Sequence, residues 1–526
     1  MGKEISRRGF VGTGAAMALG GLAATRASGA QANGNQAGPP NVLVIHTDQH
    51  RFDCLGATGN PDVRTPAIDA LAEDGVRYDN HFCAYPVCTP SRYSLLSGQW
   101  VHEHQGWNNR STLRPGTPTF ANVLRNAGYR TKGVGKMHFT PAYLDVGFDE
   151  MVLSEQDGPG RWDDDYHRAL RAHGLVDRND LEDQRAEYRK NAPPEYWETF
   201  GALPSNLPPE WHSTRWIGDR AAETLQGWQG GGQLLMAGFI KPHHPFDPPP
   251  DITDAYDPDK LTLLPGWTEE CLERDLELSK GYFPHTKLDK PTLRRVMAYY
   301  YATIEDIDRQ VARMVDILKR KGLYDNTMVI FTSDHGEYMG FHHMLLKGNY
   351  LYDPLGKVPL IVKYPGSNRA GAVDKSLVSN TDVAPTILAQ AGQPAPETMR
   401  GRDLTKGGPG PDMVFAESRM GRHAMVRTHR AKLILSDKEE RSLFFDLKKD
   451  PLERTNRIGE ESCRAEVGRL RAALLDWRGT LAPQRPYVDH DARRIGQSNV
   501  PPPDGRHVEA QQQYFAEKMK ALQGEA

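Results

Sequence analysis

The chain has 526 residues, of which 38% are hydrophobic and 25% are charged, and its formal net charge is −3. This length and composition can bury a full core and predict one large domain with a smaller one. The balance of charge argues against a nucleic acid partner, because binding a phosphate backbone needs a concentrated positive field. Five irregularly placed cysteines do not describe a disulfide-stapled scaffold, and their odd number leaves one thiol for chemistry.

The first 32 residues have the layout of an export signal. Arg7 and Arg8 precede a weakly apolar stretch over residues 15–24, and residues 30–32 read Ala-Gln-Ala, as at a cleavage site. This order predicts a twin-arginine signal peptide over residues 1–32, export through the Tat machinery, and a periplasmic or secreted bacterial protein. A plain basic arm is the alternative. The segment is too short and too rich in glycine to remain as a stable membrane span.

Continuous apolar runs after the signal predict strands that are buried on both faces, as in a parallel sheet. These runs cover residues 41–47, 233–240, 328–332 and 358–364, and polar or histidine-rich residues follow each of them. Between them, a helix is predicted with one apolar face, formed by Ile304, Ile307, Val311, Met314 and Leu318. The fold class is therefore α/β, and we expect its chemistry at the ends of the strands.

The pattern changes after about residue 405. Short apolar segments at residues 413–417, 424–427, 432–435 and 443–446 predict a four-stranded antiparallel sheet. A helix should follow and pack on this sheet through Val467, Leu470, Leu474 and Trp477. Beyond residue 482, repeated prolines indicate an extended tail over residues 483–526.

The most informative motif is C-T-P-S-R at positions 88–92. Its proline can stand in the first turn of a helix, so the motif can start one and place a thiol at its N-terminus. Read alone, the motif could be an ordinary turn. Three features accompany it: Asp48 ends the first apolar run, G-K-M-H occupies positions 135–138, and S-D-H-G at positions 333–336 ends another apolar run.

Together these motifs resemble the type I, formylglycine-dependent sulfatases of the alkaline phosphatase-like superfamily, in the family's order and over about residues 40–480. The resemblance implies a large, mixed, mostly parallel sheet sandwiched by helices. It implies a catalytic domain over residues 38–405, with an insertion at about 156–230, and a C-terminal subdomain over residues 406–482. It also implies that a maturation enzyme oxidises Cys88 to formylglycine (3-oxoalanine), whose hydrate attacks sulfur and later expels sulfate.

The resemblance and the oxygen-rich strand ends predict a divalent metal site. Its ligands would be Asp48, Gln49, Asp334, His335 and the modified Cys88. A hard cation suits such a set, so Ca²⁺ is expected, with Mn²⁺ or Mg²⁺ as alternatives. Many relatives carry an aspartate where Gln49 stands, and its replacement removes one negative charge and leaves the identity of the ion open. For a lone Asp-His pair, the alternative is a helix cap or a surface turn.

The resemblance also assigns the catalytic roles. Arg92 orients the ionised diol, Lys136 stabilises charge, and His138 is the base that drives sulfate elimination. His243, in the segment K-P-H-H-P-F at positions 241–246, is the general acid for the leaving oxygen. Lys347 grips a sulfate oxygen. The alternatives are that His243 only orders a proline-rich loop and that Lys347 is a solvated surface charge.

The sequence thus predicts a hydrolase for the sulfate monoester of a carbohydrate or another small organic molecule. Its main rival is hydrolysis of phosphonate monoesters or phosphodiesters, since relatives with an Asp-Gln pair at the first strand act on phosphorus esters. A binding protein that had lost turnover would show a broken catalytic set. None of the positions named above is broken, so the non-enzymatic interpretation is disfavoured.

Overall fold

The computed structural model describes residues 38–479, apart from residues 115, 157–163, 181–188, 191, 277–282, 284 and 349. The predicted signal peptide at residues 1–32 and the predicted tail at residues 483–526 lie outside the described residues. Among the described helices, none combines the length and the apolar character needed to cross a bilayer.

The described chain contains a large sheet of eight strands. They are β1 Asn41–Thr47, β2 Val76–Phe82, β3 Arg130–Gly135, β4 Glu150–Leu153, β5 Gln233–Gly238, β6 Thr327–Ser333, β7 Leu360–Lys363 and β8 Ala372–Ser379. Their spatial order is β4-β3-β5-β1-β6-β7-β2-β8. Every neighbouring pair is parallel except the two pairs that involve β7. This confirms the predicted mixed, mostly parallel sheet.

The direction of β7 differs from the expectation. The apolar run at residues 358–364 has the same character as the parallel strands, yet β7 runs antiparallel to both β6 and β2. A continuous apolar run reports that both faces of a strand are covered, and it carries no information about direction. The burial prediction is confirmed, since all of Leu360–Lys363 is buried, and the parallel direction is wrong.

The large sheet is covered by helices on both faces. The α-helices of the described chain are α1 Pro66–Asp74, α2 Cys88–Ser97, α3 Val101–His104, α4 Phe120–Asn126, α5 Asp165–Ala172, α6 Pro194–Glu198, α7 Ser213–Gly227, α8 Glu273–Leu276, α9 Lys290–Arg320, α10 Asp353–Gly356, α11 Val383–Gln390 and α12 Arg464–Gly479. Because side chains alternate along a strand, Val42 and Val44 of β1 belong to one core and Leu43 and Ile45 to the other. The first core includes residues of α2, α4 and α11, and the second includes residues of α1, α7 and α9.

The longest helix, α9, has clear local causes. Asp289 caps it by accepting a hydrogen bond from the backbone N–H of Thr292, and Pro291 stands in its first turn. All five residues of its predicted apolar face are buried. The periodicity of the sequence therefore predicts the buried side of this helix correctly.

A second, antiparallel sheet follows in the chain. Its strands are β9 Val414–Ser418, β10 His423–Arg427, β11 Ala431–Ser436 and β12 Leu443–Asp446, in the spatial order β12-β11-β10-β9. One of its faces packs on α12 through the four predicted side chains, all of which are buried. Its other face packs on the segment that follows β6, including Tyr352 and Leu355. The small sheet thereby supports the segment that carries Lys347.

Candidate active site

The candidate site lies where parallel strands of the large sheet end. Asp48 directly follows β1, Asp334 follows β6, and Lys136 follows β3. Two further segments come from β5, which leads to His243, and from β2, which leads to Cys88. Parallel strands place their carboxyl ends along one edge of a sheet, and this edge is where α/β folds form their ligand crevice.

Cys88 is the first residue of α2. Val87 before it is extended, with φ −142° and ψ 142°, and Pro90 stands in the first turn, where a missing N–H costs nothing. Side chains of the motif anchor the helix: Ser91 Oγ donates to the carbonyl of Asp334 at 2.6 Å, and Thr89 Oγ1 donates to the carbonyl of His138 at 2.8 Å. The motif therefore starts a buried helix, as its sequence predicts.

Three candidate metal ligands converge around Cys88, which is itself the fourth. Asp48, Cys88, Asp334 and His335 are all buried, and one ligand atom from each lies within 4.8 Å of the others. Cys88 Sγ is 3.3 Å from His335 Nε2. The other ring nitrogen of His335, Nδ1, lies 2.9 Å from the carbonyl of Gly336, which fixes the tautomer that leaves Nε2 as a ligand.

Gln49 adds an oxygen to this set. Its Oε1 atom is buried and accepts no hydrogen bond from the described residues. A buried acceptor without a donor is costly unless water or an ion satisfies it. Two carboxylates, an imidazole and an amide oxygen make a donor set that suits a hard divalent cation. The residues predicted as metal ligands therefore fit that group.

Arg92 holds the two carboxylates together. It is fully buried, its Nε donates to Asp334 Oδ2 at 3.0 Å, and its Nη2 donates to Asp48 Oδ2 at 3.0 Å. Its Nη1 donates to the carbonyl of Lys136 at 2.7 Å. Arg92 therefore orients the carboxylates at the ends of β1 and β6, and its predicted contact with the modified residue 88 stays a prediction.

Two lysines bring positive charge to Cys88. Lys136 Nζ lies 2.8 Å from Asp48 Oδ2. Lys347 Nζ lies 3.0 Å from Cys88 Sγ, 2.8 Å from His243 Nε2 and 3.3 Å from His335 Nε2. Lys347 therefore points into the site, and the alternative that it is a solvated surface charge is wrong.

This charge distribution favours an anion at position 88. Burial and Asp48 raise the pKa of the Cys88 thiol, but Lys347, His335 and Lys136 outweigh them and lower it to about 6. Burial also raises the pKa of Asp48, and Lys136, His243 and Arg92 reverse that effect and hold it well below the ordinary value. A group that carries negative charge is thus stabilised here by neighbours that stay in place.

The two predicted catalytic histidines lie on different strand ends. The backbone of His138 is fixed on both sides, because its N–H donates to Glu155 Oε1 at 2.9 Å and its carbonyl accepts from Thr89. The ring of His243 stacks on that of His244, with centroids 4.2 Å apart. Burial and the adjacent Lys347 lower the pKa of His243. His243 therefore reaches the site itself, beyond any effect on its proline-rich loop.

Sequence reasoning missed two polar residues at the site. Gln156 accepts a hydrogen bond from Lys136 Nζ at 3.0 Å, and its Nε2 donates to Asp180 and to the carbonyl of His244, each at 2.9 Å. Glu337 accepts a hydrogen bond from Gln49 Nε2 at 2.5 Å. Gln156 gives no signal in the sequence. Glu337 stands two residues after His335, so its proximity to a metal ligand could have been noticed.

Comparison with known proteins agrees with this geometry. The family model Sulfatase matches residues 40–393, so the chain belongs to the sulfatase family of sulfuric ester hydrolases. It is 28% identical over 476 residues to an arylsulfatase from Clostridium perfringens, covering 83% of this chain and 94% of that protein. It is 26% identical over 513 residues to an N-acetylglucosamine-6-O-sulfatase from Bacteroides thetaiotaomicron, covering 86% and 87%.

Solved structures share the fold. A phosphonate monoester hydrolase from Silicibacter pomeroyi superposes with a TM-score of 0.70 at 25% sequence identity, covering 84% of this chain and 95% of that one. The fold is therefore the alkaline phosphatase-like fold of the sulfatases, as the sequence motifs predict.

Proposed function

We propose that this protein hydrolyses the sulfate monoester of a carbohydrate or another small organic molecule, with formylglycine at position 88 and a divalent cation. One observation carries the proposal. Cys88 Sγ belongs to the cluster of candidate metal ligands, and it lies 3.0 Å from the ammonium of Lys347. The nucleophile that attacks sulfur and the positive charge that neutralises the sulfur-bound oxygens would therefore occupy one buried place.

Asp48, Gln49, Asp334, His335 and the modified residue 88 would hold the cation, for which Ca²⁺ is expected and Mn²⁺ or Mg²⁺ are alternatives. When bound, the cation lowers the pKa of a coordinated hydroxyl, and hydrated formylglycine supplies that hydroxyl together with a route for sulfate to leave. The lowered pKa of Cys88 supports this assignment, because it reports that the residues around position 88 favour an anion.

The side chains of the protein supply the remaining requirements. A sulfate ester needs charge neutralisation on its sulfur-bound oxygens, and Lys347 and Lys136 bring two ammonium groups to the site. Arg92 keeps Asp48 and Asp334 in place by binding both carboxylates. Positioning by such buried ion pairs keeps donors and acceptors fixed while charge develops.

Proton transfer falls to the two histidines. His243 would protonate the leaving oxygen, and His138 would take the proton when sulfate is released. Burial and Lys347 lower the pKa of His243 in the free protein. An anionic ester beside this imidazole opposes that shift, since negative charge favours the protonated ring. Substrate binding would therefore bring His243 toward its acidic form.

The N-terminal residues complete the proposal. Residues 1–32 carry the twin-arginine pattern, so the protein would be exported by the Tat machinery and act in the periplasm or outside the cell. A formylglycine-generating enzyme of the host is the second partner that the modification requires.

Hydrolysis of a phosphonate monoester or a phosphodiester is the second candidate. Gln49 favours it, since an Asp-Gln pair follows β1 here as in relatives that act on phosphorus esters. The likeness to the phosphonate monoester hydrolase from Silicibacter pomeroyi, with its TM-score of 0.70, also supports it. All three ester types carry a single negative charge at neutral pH, so charge alone does not separate them.

Rates on matched substrates test the choice. The protein is produced together with a maturation enzyme and assayed with 4-nitrophenyl sulfate, a phenyl phosphonate monoester and bis(4-nitrophenyl) phosphate. We expect the highest kcat/KM on the sulfate ester, and no turnover by a Cys88→Ala variant prepared in parallel. A higher kcat/KM on either phosphorus ester would replace the proposed function with the second candidate.

A further inference from the structure

The amide of Gln49 is held in one orientation. Its Nε2 lies 2.5 Å from Glu337 Oε2 and 3.4 Å from His244 Nδ1. A carboxylate only accepts hydrogen bonds, so the NH₂ group must face Glu337 and the oxygen must face away from it. That oxygen, Oε1, is the buried atom that accepts no hydrogen bond from the described residues.

The backbone of Gln49 is fixed as well. Its N–H donates to Asp334 Oδ1 at 3.1 Å, and its carbonyl accepts from the hydroxyl of Tyr300 at 2.7 Å. The residue also has a positive φ of 63°, which is uncommon for a residue other than glycine. The surrounding structure therefore determines both the position of Gln49 and the direction of its amide.

The second oxygen of Glu337 ties this amide to the segment that carries Lys347. Glu337 is fully buried, and its Oε1 accepts from the backbone N–H of Met339 at 3.0 Å and from that of Leu346. Leu346 directly precedes Lys347 in the chain.

We propose that Glu337 is a positioning residue for the metal site, which aims Oε1 of Gln49 at the cation and sets the Lys347 segment beside it. The inference rests on the cation of the proposed function. It also accounts for the amide at position 49, because Glu337 fixes which end of that amide faces the other candidate ligands. A carboxylate at the NH₂ end polarises the amide, so its oxygen becomes a better ligand.

A reciprocal exchange tests this role. The Glu337→Gln variant has one side-chain oxygen where Glu337 has two. That oxygen cannot accept hydrogen bonds both from Gln49 Nε2 and from the two backbone N–H groups, because these donors contact different oxygens of Glu337. The double variant Gln49→Glu/Glu337→Gln restores the hydrogen bond between positions 49 and 337 in the reversed direction, since the two substitutions are isosteric. In it, the amide introduced at position 337 donates to the carboxylate at position 49, while the oxygen of that amide accepts from Met339 and Leu346.

The readout is the affinity of the full chain for Ca²⁺ and Mn²⁺, measured by titration calorimetry in the presence of a competing chelator. We expect Glu337→Gln to weaken the affinity by about 10- to 100-fold, the usual effect of losing a partner behind a metal ligand. The double variant should return to the wild-type affinity or exceed it. If Glu337 only stabilised its own loop, exchanging the groups at positions 49 and 337 would not restore the cation affinity.

Asp308→Asn is the matched control. Asp308 is also a buried carboxylate that accepts from backbone N–H groups, those of Ala67 at 3.1 Å and Ile68 at 2.8 Å. Its variant should lower the Tm and leave cation affinity unchanged. Wild-type protein without affinity for either cation, or for Mg²⁺ in the same titration, would overturn the metal site itself. Wild-type binding that survives Glu337→Gln, or a loss that the double variant fails to restore, would overturn the inference alone.

Discussion

Two clusters of buried charge differ in how completely their cations are paired. In the first, between the large domain and the small sheet, Lys432 Nζ lies 2.5 Å from Asp353 Oδ1 and 2.6 Å from Glu453 Oε1. Arg427 Nη2 lies 2.9 Å from Asp353 Oδ2. Both cations therefore contact carboxylates, and the cluster joins β10 and β11 to the large domain.

The second cluster is the candidate active site. Arg92 and Lys136 bind carboxylates there, but Lys347 does not. Among the described residues, the contacts of Lys347 Nζ are with Cys88 Sγ, His243 Nε2 and His335 Nε2. The difference teaches how to tell a structural cluster of charges from a functional one: the functional cluster leaves a cation for the anion that reacts.

The largest expected effect separates the two clusters directly. Arg92→Met and Lys432→Met each remove a buried cation that contacts two buried carboxylates, so each should lower the free energy of unfolding by about 3–5 kcal/mol. Urea unfolding measures this change. Only Arg92→Met should also reduce kcat/KM of the folded protein, by at least about 100-fold. Equal kcat/KM in the two variants would contradict the distinction.

Lys347→Met should affect turnover far more than stability. It removes the cation beside residue 88, so kcat/KM for an aryl sulfate should fall by about 10²–10³-fold. Because no carboxylate loses a partner, the free energy of unfolding should stay close to that of the wild type. Lys357→Met is a control outside the site, since Lys357 Nζ lies 4.3 Å over the ring of Phe52. A Lys347 variant that is destabilised yet fully active would show that Lys347 has a structural role and no role in turnover.

The effect that is smallest per pH unit concerns Glu155, which binds the backbone N–H of His138. Burial raises the pKa of Glu155 from its ordinary 4.5 to about 8. Between these values the folded protein holds one more proton than the unfolded chain. The free energy of unfolding should therefore fall by about 1.4 kcal/mol per pH unit from this group as the pH rises.

Glu155→Gln lacks this proton. The difference in the free energy of unfolding, variant minus wild type, should therefore increase with pH up to about pH 8 and stay constant above it. Urea unfolding at a series of pH values measures this difference. Two profiles that stay parallel over that range would show that Glu155 does not carry the proposed proton.

The positions of the candidate ligands could be predicted because they depend on simple regularities. Apolar runs mark buried strands, and parallel strands end at one edge, so Asp48 and Asp334 were expected to meet. Cys88 and Lys136 followed from their motifs and the family resemblance, without a predicted strand before either of them. The helical periodicity of apolar residues predicted the buried face of α9, and short apolar segments separated by polar turns predicted the small antiparallel sheet.

Other features depend on tertiary placement that no local pattern encodes. The direction of β7 is set by the path of the chain after β6, and an apolar run is the same in either direction. Gln156 reaches Lys136 from an irregular segment. Glu337 meets Gln49 across 288 positions of the sequence. A side-chain hydrogen bond of this kind appears only when two distant segments are already folded together.

The most direct test of the account is the mass of the tryptic peptide that contains Cys88, taken from active protein produced with a maturation enzyme. We expect that the thiol of Cys88 has been replaced by an aldehyde or its hydrate, and that the modified fraction rises in proportion to specific activity. Fully active protein in which Cys88 retains its thiol would contradict the account.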